Sequence, residues 1–306
     1  MSPAIGALAP RETGKDTILR ARARAALIPD LLVEAQRISN NVFAGWHGRK
    51  KRGIGENFWQ FRPYTVGENM NAIDWRKSAR DDHIYVKDRE WQAAHTVWLW
   101  VDESPSMLFK SDLGKVSKQS RALVLAFAMA ELLARSGERV GWLGVTPPIA
   151  SRTASEKLAE ALILSEPQDR FPIADAIKDN SDIIIFSDFL DDMDNTEDRL
   201  RSFARRGANC HLVHIIDPVE ETFPYAGRVE FIDPETNERF TAGNARGLAE
   251  NYTNLFAARN KSLRDLATKL GWSYIAHHTD RLASEALVTL HEYLGANRQS
   301  SQQGRH

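Results

Sequence analysis

The chain has 306 residues, 42% hydrophobic and 26% charged, with a formal net charge of −1. That length suits one large domain or two modest ones, and the near-neutral charge argues against a global nucleic-acid binder. The single cysteine, Cys210, excludes an intrachain disulfide framework. No stretch approaches the ~18–20 apolar residues of a membrane span. Met1 to Asp16 lacks a secretory apolar core, so a soluble cytoplasmic protein is expected.

Residues 1–17 read as a flexible arm, because Pro3, Gly6 and Pro10 break any periodicity. Residues 18–95 read as an N-terminal helix followed by a β-rich region. From Ile18 to Asn40 apolar residues such as Leu27, Leu31 and Ile38 recur at helical spacing. Pro29 is expected to divide this stretch into two helices, with Asp30 near the second start. The basic run Arg49-Lys50-Lys51-Arg52 between glycines reads as a solvated loop or as a contact for phosphate or an acidic partner. His47 beside Trp46 has no visible second ligand and reads as structural.

Alternation over Phe58–Arg62 predicts a half-buried strand, Gly67-Glu68-Asn69 a turn, and Ile84–Lys87 another strand. Buried arginines and aspartates need partners. Arg62, Asp74, Arg76 and Arg80 therefore read either as an ion-pair network tying this region to the main sheet or as an exposed platform for a binding partner.

Residues 96–296 alternate strand and helix. Val97–Val101 is β-branched or aromatic apart from Leu99, which suits a strand buried on both faces. Val116–Ser136 is an apolar helix ending at Gly137. Val140–Val145 is a short strand broken by Pro147-Pro148, with Ile149-Ala150 as a partner strand. Ala154–Leu164 and Phe171–Lys178 are helices. Asp182–Phe186 is a second apolar strand. Thr196–Arg206 is a helix, His211–Ile216 a strand, and 228–241 a hairpin insertion. Ala249–Leu270, Trp272–Ala276 and Ala283–Leu294 complete the order, and 297–306 is a polar tail read as disordered. The pattern predicts an α/β fold with a doubly wound, mostly parallel sheet and an N-terminal helical and β-rich extension.

Both of these apolar runs end in acid. After Val101 comes Asp102-Glu103-Ser104-Pro105-Ser106, and after Phe186 comes Ser187-Asp188. Ligands of open α/β sheets bind beyond the carboxyl ends of strands. If the two strands are neighbours, Asp102, Ser104, Ser106 and Asp188 share one crevice. They then make a hard oxygen set suited to Mg²⁺ or Mn²⁺. Thr153, before a helix, is a candidate fifth contributor, with a plain N-cap as its alternative. The same residue types are also ordinary turn and capping residues.

Gly55-Glu56-x-Phe58, Phe61-Arg62-x-Tyr64, Gly67-Glu68, Ile73-Asp74-Trp75 and Ser78-Ala79-Arg80 precede Val101-Asp102-x-Ser104-x-Ser106-Met107. Ser187-Asp188-Phe189, Asp217-Pro218-x-Glu220 and Asp233-Pro234 follow. Together they resemble the bacterial family called domain of unknown function 58, from about Leu31 to Leu294. Glu68-Asn69 stands where that family often has Asp-Asp. The resemblance implies a von Willebrand factor A-like domain with a metal-ion-dependent adhesion site. It also implies a MoxR-type AAA+ ATPase, or another protein offering an acidic ligand, as the partner in a chaperone-like or regulatory role. The expectation is a metal-dependent protein-interaction module, not an enzyme. The alternative is a metal-assisted, phosphatase-like hydrolase using the Asp102 loop; a serine nucleophile needs a base in reach, and His211, His214, His277 and His278 are not placed against Ser104 by spacing. A third reading, nucleic-acid binding through Arg49–Arg52 and nearby tryptophans, matches no known reader pattern.

Overall fold

The computed structural model describes residues 14–48, 59–65, 70, 73–80, 83–89, 95–168, 171, 177 and 181–303. The chain divides into two units, 44–94 and the remainder. The helix α1 (Gly14–Gly48) opens the described chain. In the smaller unit β1 (Trp59–Pro63), the short helix α2 (Trp75–Ser78) and β2 (Tyr85–Arg89) follow. The strands β1 and β2 pair antiparallel, with Arg62 opposite Val86. The basic run 49–52 and the Gly67-Glu68-Asn69 turn lie outside the described residues.

The larger unit is built on a six-stranded sheet. Its strands are β3 (Thr96–Val101), β4 (Arg139–Trp142), β5 (Thr146–Ile149), β6 (Asp182–Ser187), β7 (Asn209–Ile216) and, last in the chain, β10 (Ser273–His278). The order is β10-β7-β6-β3-β4-β5. All neighbours are parallel except β4 and β5. From β3 the chain goes outward to β4 and β5, then crosses back to β6 on the other side. The reversal lies between β3 and β6, where an open α/β sheet leaves a crevice.

Strand periodicity explains the two cores. Val97, Leu99 and Val101 point to one face, among α1, α3 (Lys118–Arg135), α4 (Ala154–Leu164) and α8 (Ala283–Gln303). Trp98 and Trp100 point to the other, among α5 (Met193–Arg205) and α7 (Ala249–Lys269). Trp100 stacks on Phe171 with ring centroids 4.7 Å apart. With both faces covered, a continuous apolar run is what these strands require. The short helix α6 (Pro218–Thr222) follows β7, and β8 (Val229–Ile232) pairs antiparallel with β9 (Arg239–Ala242) in a separate hairpin.

Three local readings are corrected. Pro29 does not divide the N-terminal helix, which is continuous from Gly14. Interior proline costs about 3 kcal/mol. Ile28, Leu31, Ala35 and Val42 are buried on one side of α1. Each fully buried aliphatic side chain returns roughly 1.5–3 kcal/mol, which outweighs the lost bond. The second difference is α8, which runs to Gln303 and so into the stretch read as a disordered tail. The third is that α1 already includes residues 14–17 of the predicted arm. Most of the helix expected at 171–178 lies outside the described residues. Among the described residues no helix is long and apolar enough to cross a membrane.

Candidate metal centre

Register places the two acidic loops side by side. Val101 pairs with Phe186, so the next residues, Asp102 and Ser187, are level. The Asp102 amide donates to the Phe186 carbonyl at 2.9 Å, continuing the ladder by one step. The Ser187 hydroxyl then donates to Asp102 Oδ2 at 2.6 Å. Asp102 Oδ1 accepts the Ser104 amide at 2.9 Å, which closes the loop into a tight turn. A 3₁₀ turn, Pro105–Leu108, follows and buries Ser106 and Met107.

The Ser104 and Ser106 hydroxyl oxygens lie 3.0 Å apart. The Asp188 carboxylate takes a hydrogen bond from the Ser106 side chain. Asp102, Ser104, Ser106 and Asp188 are all buried. The four residues picked from sequence therefore converge in one crevice. In an octahedral shell with bonds of about 2.1 Å, adjacent oxygens stand about 3.0 Å apart, so the serine pair already has the spacing of two Mg²⁺ ligands. Among the described residues no three His, Cys, Asp or Glu side chains cluster as a metal site. A cation here would rest on two carboxylates and two hydroxyls, a set that fits Mg²⁺ or Mn²⁺ and not a soft metal.

The Asp188 loop is shaped by strain. Phe189 has φ 49°, a left-handed conformation that costs a non-glycine residue about 1–2 kcal/mol. Ser187 Oγ accepts the Phe189 amide at 2.9 Å, and Asp188 Oδ1 accepts the Leu190 amide at 3.2 Å. Arg259 Nε donates to the Phe189 carbonyl at 2.7 Å. The Phe189 ring is buried against Phe171 and, edge-on, against His214. These contacts outweigh the strain and turn the Asp188 carboxylate toward Ser106.

Lys118 completes the charge pattern. It stands in the first turn of α3, where a cation opposes the helix dipole and needs acid nearby. Its ammonium donates to Asp188 Oδ2 at 2.8 Å and to Glu220 Oε1 at 2.5 Å, with the side chain 1% exposed. Burial works against its charge, but Asp188 and Glu220 outweigh this and hold its pKa above the ordinary value. Burial likewise opposes ionisation of Asp188, and the Lys118 ammonium wins, keeping that carboxyl below the usual range. Asp102 has no such cation. Burial and the adjacent Asp188 push its carboxyl up to about 7.

Two outer supports hold the loop. Glu103, inside the Asp-x-Ser-x-Ser loop, is buried on Arg24 of α1 at 2.7 Å. At the far side Ser111 binds Asp217, whose Oδ2 accepts the Ser111 amide at 3.0 Å, so the end of β7 anchors the loop after Ser106. Asp217 and Glu220 also make the capping box of α6. From the hairpin, Glu235 Oε1 accepts the Ser106 amide at 3.0 Å.

Thr153 is a correction. It is exposed in the turn before α4 and its hydroxyl lies 3.1 Å from that of Ser151. Because β5 runs antiparallel, Ile149 is level with Val140, which pairs with Val97 at the start of β3. Thr153 thus sits at the amino edge of the sheet, the opposite end from Asp102. Arg62, Asp74, Arg76 and Arg80 belong to the 44–94 unit. The Arg62 side chain is outside the described residues, Arg76 and Arg80 are exposed, and Asp74 caps α2 by accepting the Lys77 amide at 2.9 Å.

Sequence reasoning missed Ser187, Lys118, Glu220 and Glu235 as parts of the crevice. Lys118 carried a signal: a lone lysine opening an apolar helix. The other three are brought in by strand pairing and long-range packing.

Comparison with known proteins places these features in a family. Residues 60–262 match the family model described as protein of unknown function DUF58. An uncharacterised protein of Mycobacterium tuberculosis (strain ATCC 25618 / H37Rv) is 25% identical over 276 residues, covering 84% of this chain and 85% of its own length. An uncharacterised protein of Mycobacterium bovis matches to the same extent. A crystal structure of an aerotolerance-related membrane protein from Bacteroides fragilis NCTC 9343 aligns with TM-score 0.40 at 14% identity, covering 66% of this chain and 100% of that one. BatB from Bacteroides thetaiotaomicron, a conserved hypothetical protein, aligns with TM-score 0.34 at 14% identity, over 63% and 95%. By this match, which runs from β1 to α7, the chain belongs to the DUF58 family.

Proposed function

We propose that the Asp102 crevice is a Mg²⁺- or Mn²⁺-dependent docking site, and that the chain works in the cytoplasm as a protein-interaction module. Its partner on this reading is a MoxR-type AAA+ ATPase, or another protein that offers an acidic group, in a chaperone-like or regulatory role. The family resemblance supplies the class of partner. The observation that carries the reading is the charge imbalance around Asp102. Asp188 and Glu220 share one ammonium, Lys118, while Asp102 stands beside Asp188 with no cation of its own. A buried carboxyl raised to about 7 is one that a nearby dication would ionise.

When bound, the cation would supply a Lewis-acidic point that accepts a carboxylate. The chain's own residues do the rest. Ser187 and the Ser104 amide fix the two oxygens of Asp102. Lys118 fixes Asp188, and the 3₁₀ turn holds Ser104 against Ser106.

Docking is favoured over hydrolysis by the state of His214, the buried histidine that acts electrostatically on Asp188 and Lys118. His214 Nδ1 is 2.8 Å from the Tyr274 hydroxyl, and its ring also hydrogen-bonds the Asp188 backbone. Burial pushes its pKa down to about 3. Buried, held neutral and engaged with Tyr274, it is a poor base for Ser104. His278 is paired instead with Glu221 at 2.7 Å.

Calorimetric titration with Mg²⁺ tests the site: heat of binding in the wild type and none in Asp102→Ala. Equal binding by the two proteins would remove the assignment. Co-purification with a co-expressed MoxR-type ATPase, with Mg²⁺ and with EDTA, tests the partner.

A further inference from the structure

The turn of the β8–β9 hairpin runs from Asp233 to Glu238 and places Glu235 at the metal loop. Its Oε1 accepts the Ser106 amide at 3.0 Å, across 129 residues of sequence. Nothing in the local turn demands this. The turn closes on itself through Asp233, whose amide donates to the Glu238 carbonyl at 2.9 Å and whose Oδ1 accepts the Glu235 amide at 2.8 Å. Asn237 supplies the left-handed residue at φ 59°. The Glu235 side chain is thus free to point elsewhere, yet it lies on the loop that carries Ser104 and Ser106.

Its electrostatic setting is unfavourable. Partial burial works against its charge first, the carboxylates of Asp188, Asp191 and Asp233 add to this, and the Ser106 amide acts for it. A single neutral donor opposed by three carboxylates is a weak lock. The base of the hairpin, by contrast, is fixed. Phe231 stacks on Phe223 with centroids 5.7 Å apart and meets Tyr225 edge-on at 5.3 Å, while Ala242 is buried beside them. The tip is exposed, and so are Ile232 and Phe240 on the two strands. A rigid base with a weakly held acidic tip is the construction of an occupant that can leave.

We propose that Glu235 is the chain's own occupant of the crevice, a carboxylate that an incoming acidic group must displace from the Ser106 amide to engage the Asp102 loop. The idea rests on the reading of the crevice as a cation-dependent docking site. The side chain found there also names the ligand chemistry: a carboxylate presented on a turn.

The test loads the full-length protein with Mn²⁺ and titrates acetate, following displacement of metal-bound water through water-proton relaxation. If Glu235 keeps the site closed most of the time, acetate should bind about tenfold more tightly to Glu235→Ala, since apparent affinity scales with the open fraction. Glu235→Gln keeps the size of the side chain and should shift in the same direction. Equal acetate affinity in all three proteins overturns the proposal and leaves the docking site standing. A loss of Mn²⁺ affinity of about tenfold in Glu235→Ala also overturns it, because Glu235 would then be a fixed ligand. Failure of the wild type to bind Mn²⁺ removes the docking site and this proposal together.

Discussion

Ser187 donates its hydroxyl to Asp102 across the boundary between β6 and β3, at 2.6 Å. The bond joins the two acidic loops at the point where the sheet reverses direction. Ser187 is 1% exposed, so water cannot replace it without rearrangement. Its Oγ also accepts the Phe189 amide, which helps hold the strained turn beyond Asp188. Ser187→Ala should therefore weaken Mg²⁺ binding by about 10–100-fold, the usual cost of removing a residue that orients a metal ligand. Calorimetry checks the affinity, and an unchanged far-UV circular dichroism spectrum shows that the fold survives. Wild-type affinity in the variant would mean that Asp102 needs no orientation.

The elevated Asp102 pKa makes both stability and metal affinity depend on pH, with opposite signs. In the unfolded chain the carboxyl ionises near 3.8; in the folded chain it ionises near 7. Between those values the folded state holds a proton that the unfolded state has lost, so stability falls as pH rises through the window. The full effect is roughly 4 kcal/mol from this group and is complete above about pH 7. Asp188 runs the other way: its depressed pKa gives stability that is lost only in acid. Mg²⁺ needs the ionised Asp102, so its affinity should rise about tenfold per pH unit below about 7 and level off above. Thermal melts and titrations from pH 5 to about pH 9 read both trends. A metal affinity that is flat between pH 5 and about pH 7 would argue against Asp102 as a ligand.

Lys118 and a bound dication serve overlapping needs. Removing one partner of a buried pair leaves the other charge uncompensated, at about 3–5 kcal/mol. Lys118→Met strands both Asp188 and Glu220 and should lower stability by that amount in EDTA. Saturating Mg²⁺ should then raise the melting temperature more in the variant than in the wild type, because the cation stands in for the ammonium near Asp188. Equal Mg²⁺ shifts in the two proteins would show that no cation reaches Asp188.

The acidic loops were legible in the sequence because each follows a strand that is apolar throughout. Such runs as Val97–Val101 and Ile183–Phe186 advertise burial on both faces, and the parallel, helix-covered sheet follows from that. What the pattern cannot carry is strand order. That β3 and β6 are neighbours depends on the crossover after β5, and it is the antiparallel run of β5 that puts Thr153 at the opposite edge. Local preference also misjudged Pro29, where a buried stripe on α1 overrides the proline. Ser187 reads as one more strand residue until register sets it opposite Asp102. Glu235 and Glu220 arrive from segments more than 100 residues beyond the loop they touch, a separation visible in their contacts with Ser106 and Lys118.

The N-terminal helix is tied to the crevice by a second buried pair. Arg24 Nη1 donates to Glu103 Oε1 and Oε2 at 2.8 and 2.7 Å, and its Nη2 donates to the Leu162 carbonyl at 2.6 Å. Both side chains are 1% exposed. Glu103 Oε2 also accepts the Gln168 amide at 2.8 Å, and the Glu103 amide donates to the Gln168 carbonyl at 3.0 Å. Glu103 lies between Asp102 and Ser104, so α1 holds the loop from behind. Arg24→Leu alone and Glu103→Leu alone should each cost about 3–5 kcal/mol, because each leaves polar groups buried without a partner. The double variant removes both charges and should cost less than the sum by about 2 kcal/mol. Chemical denaturation of the four proteins measures that coupling. Arg24→Leu should also weaken Mg²⁺ binding by about tenfold, since the loop loses the group that fixes its backbone. Additive stability changes together with wild-type Mg²⁺ affinity would reduce the Arg24–Glu103 pair to packing and uncouple α1 from the crevice.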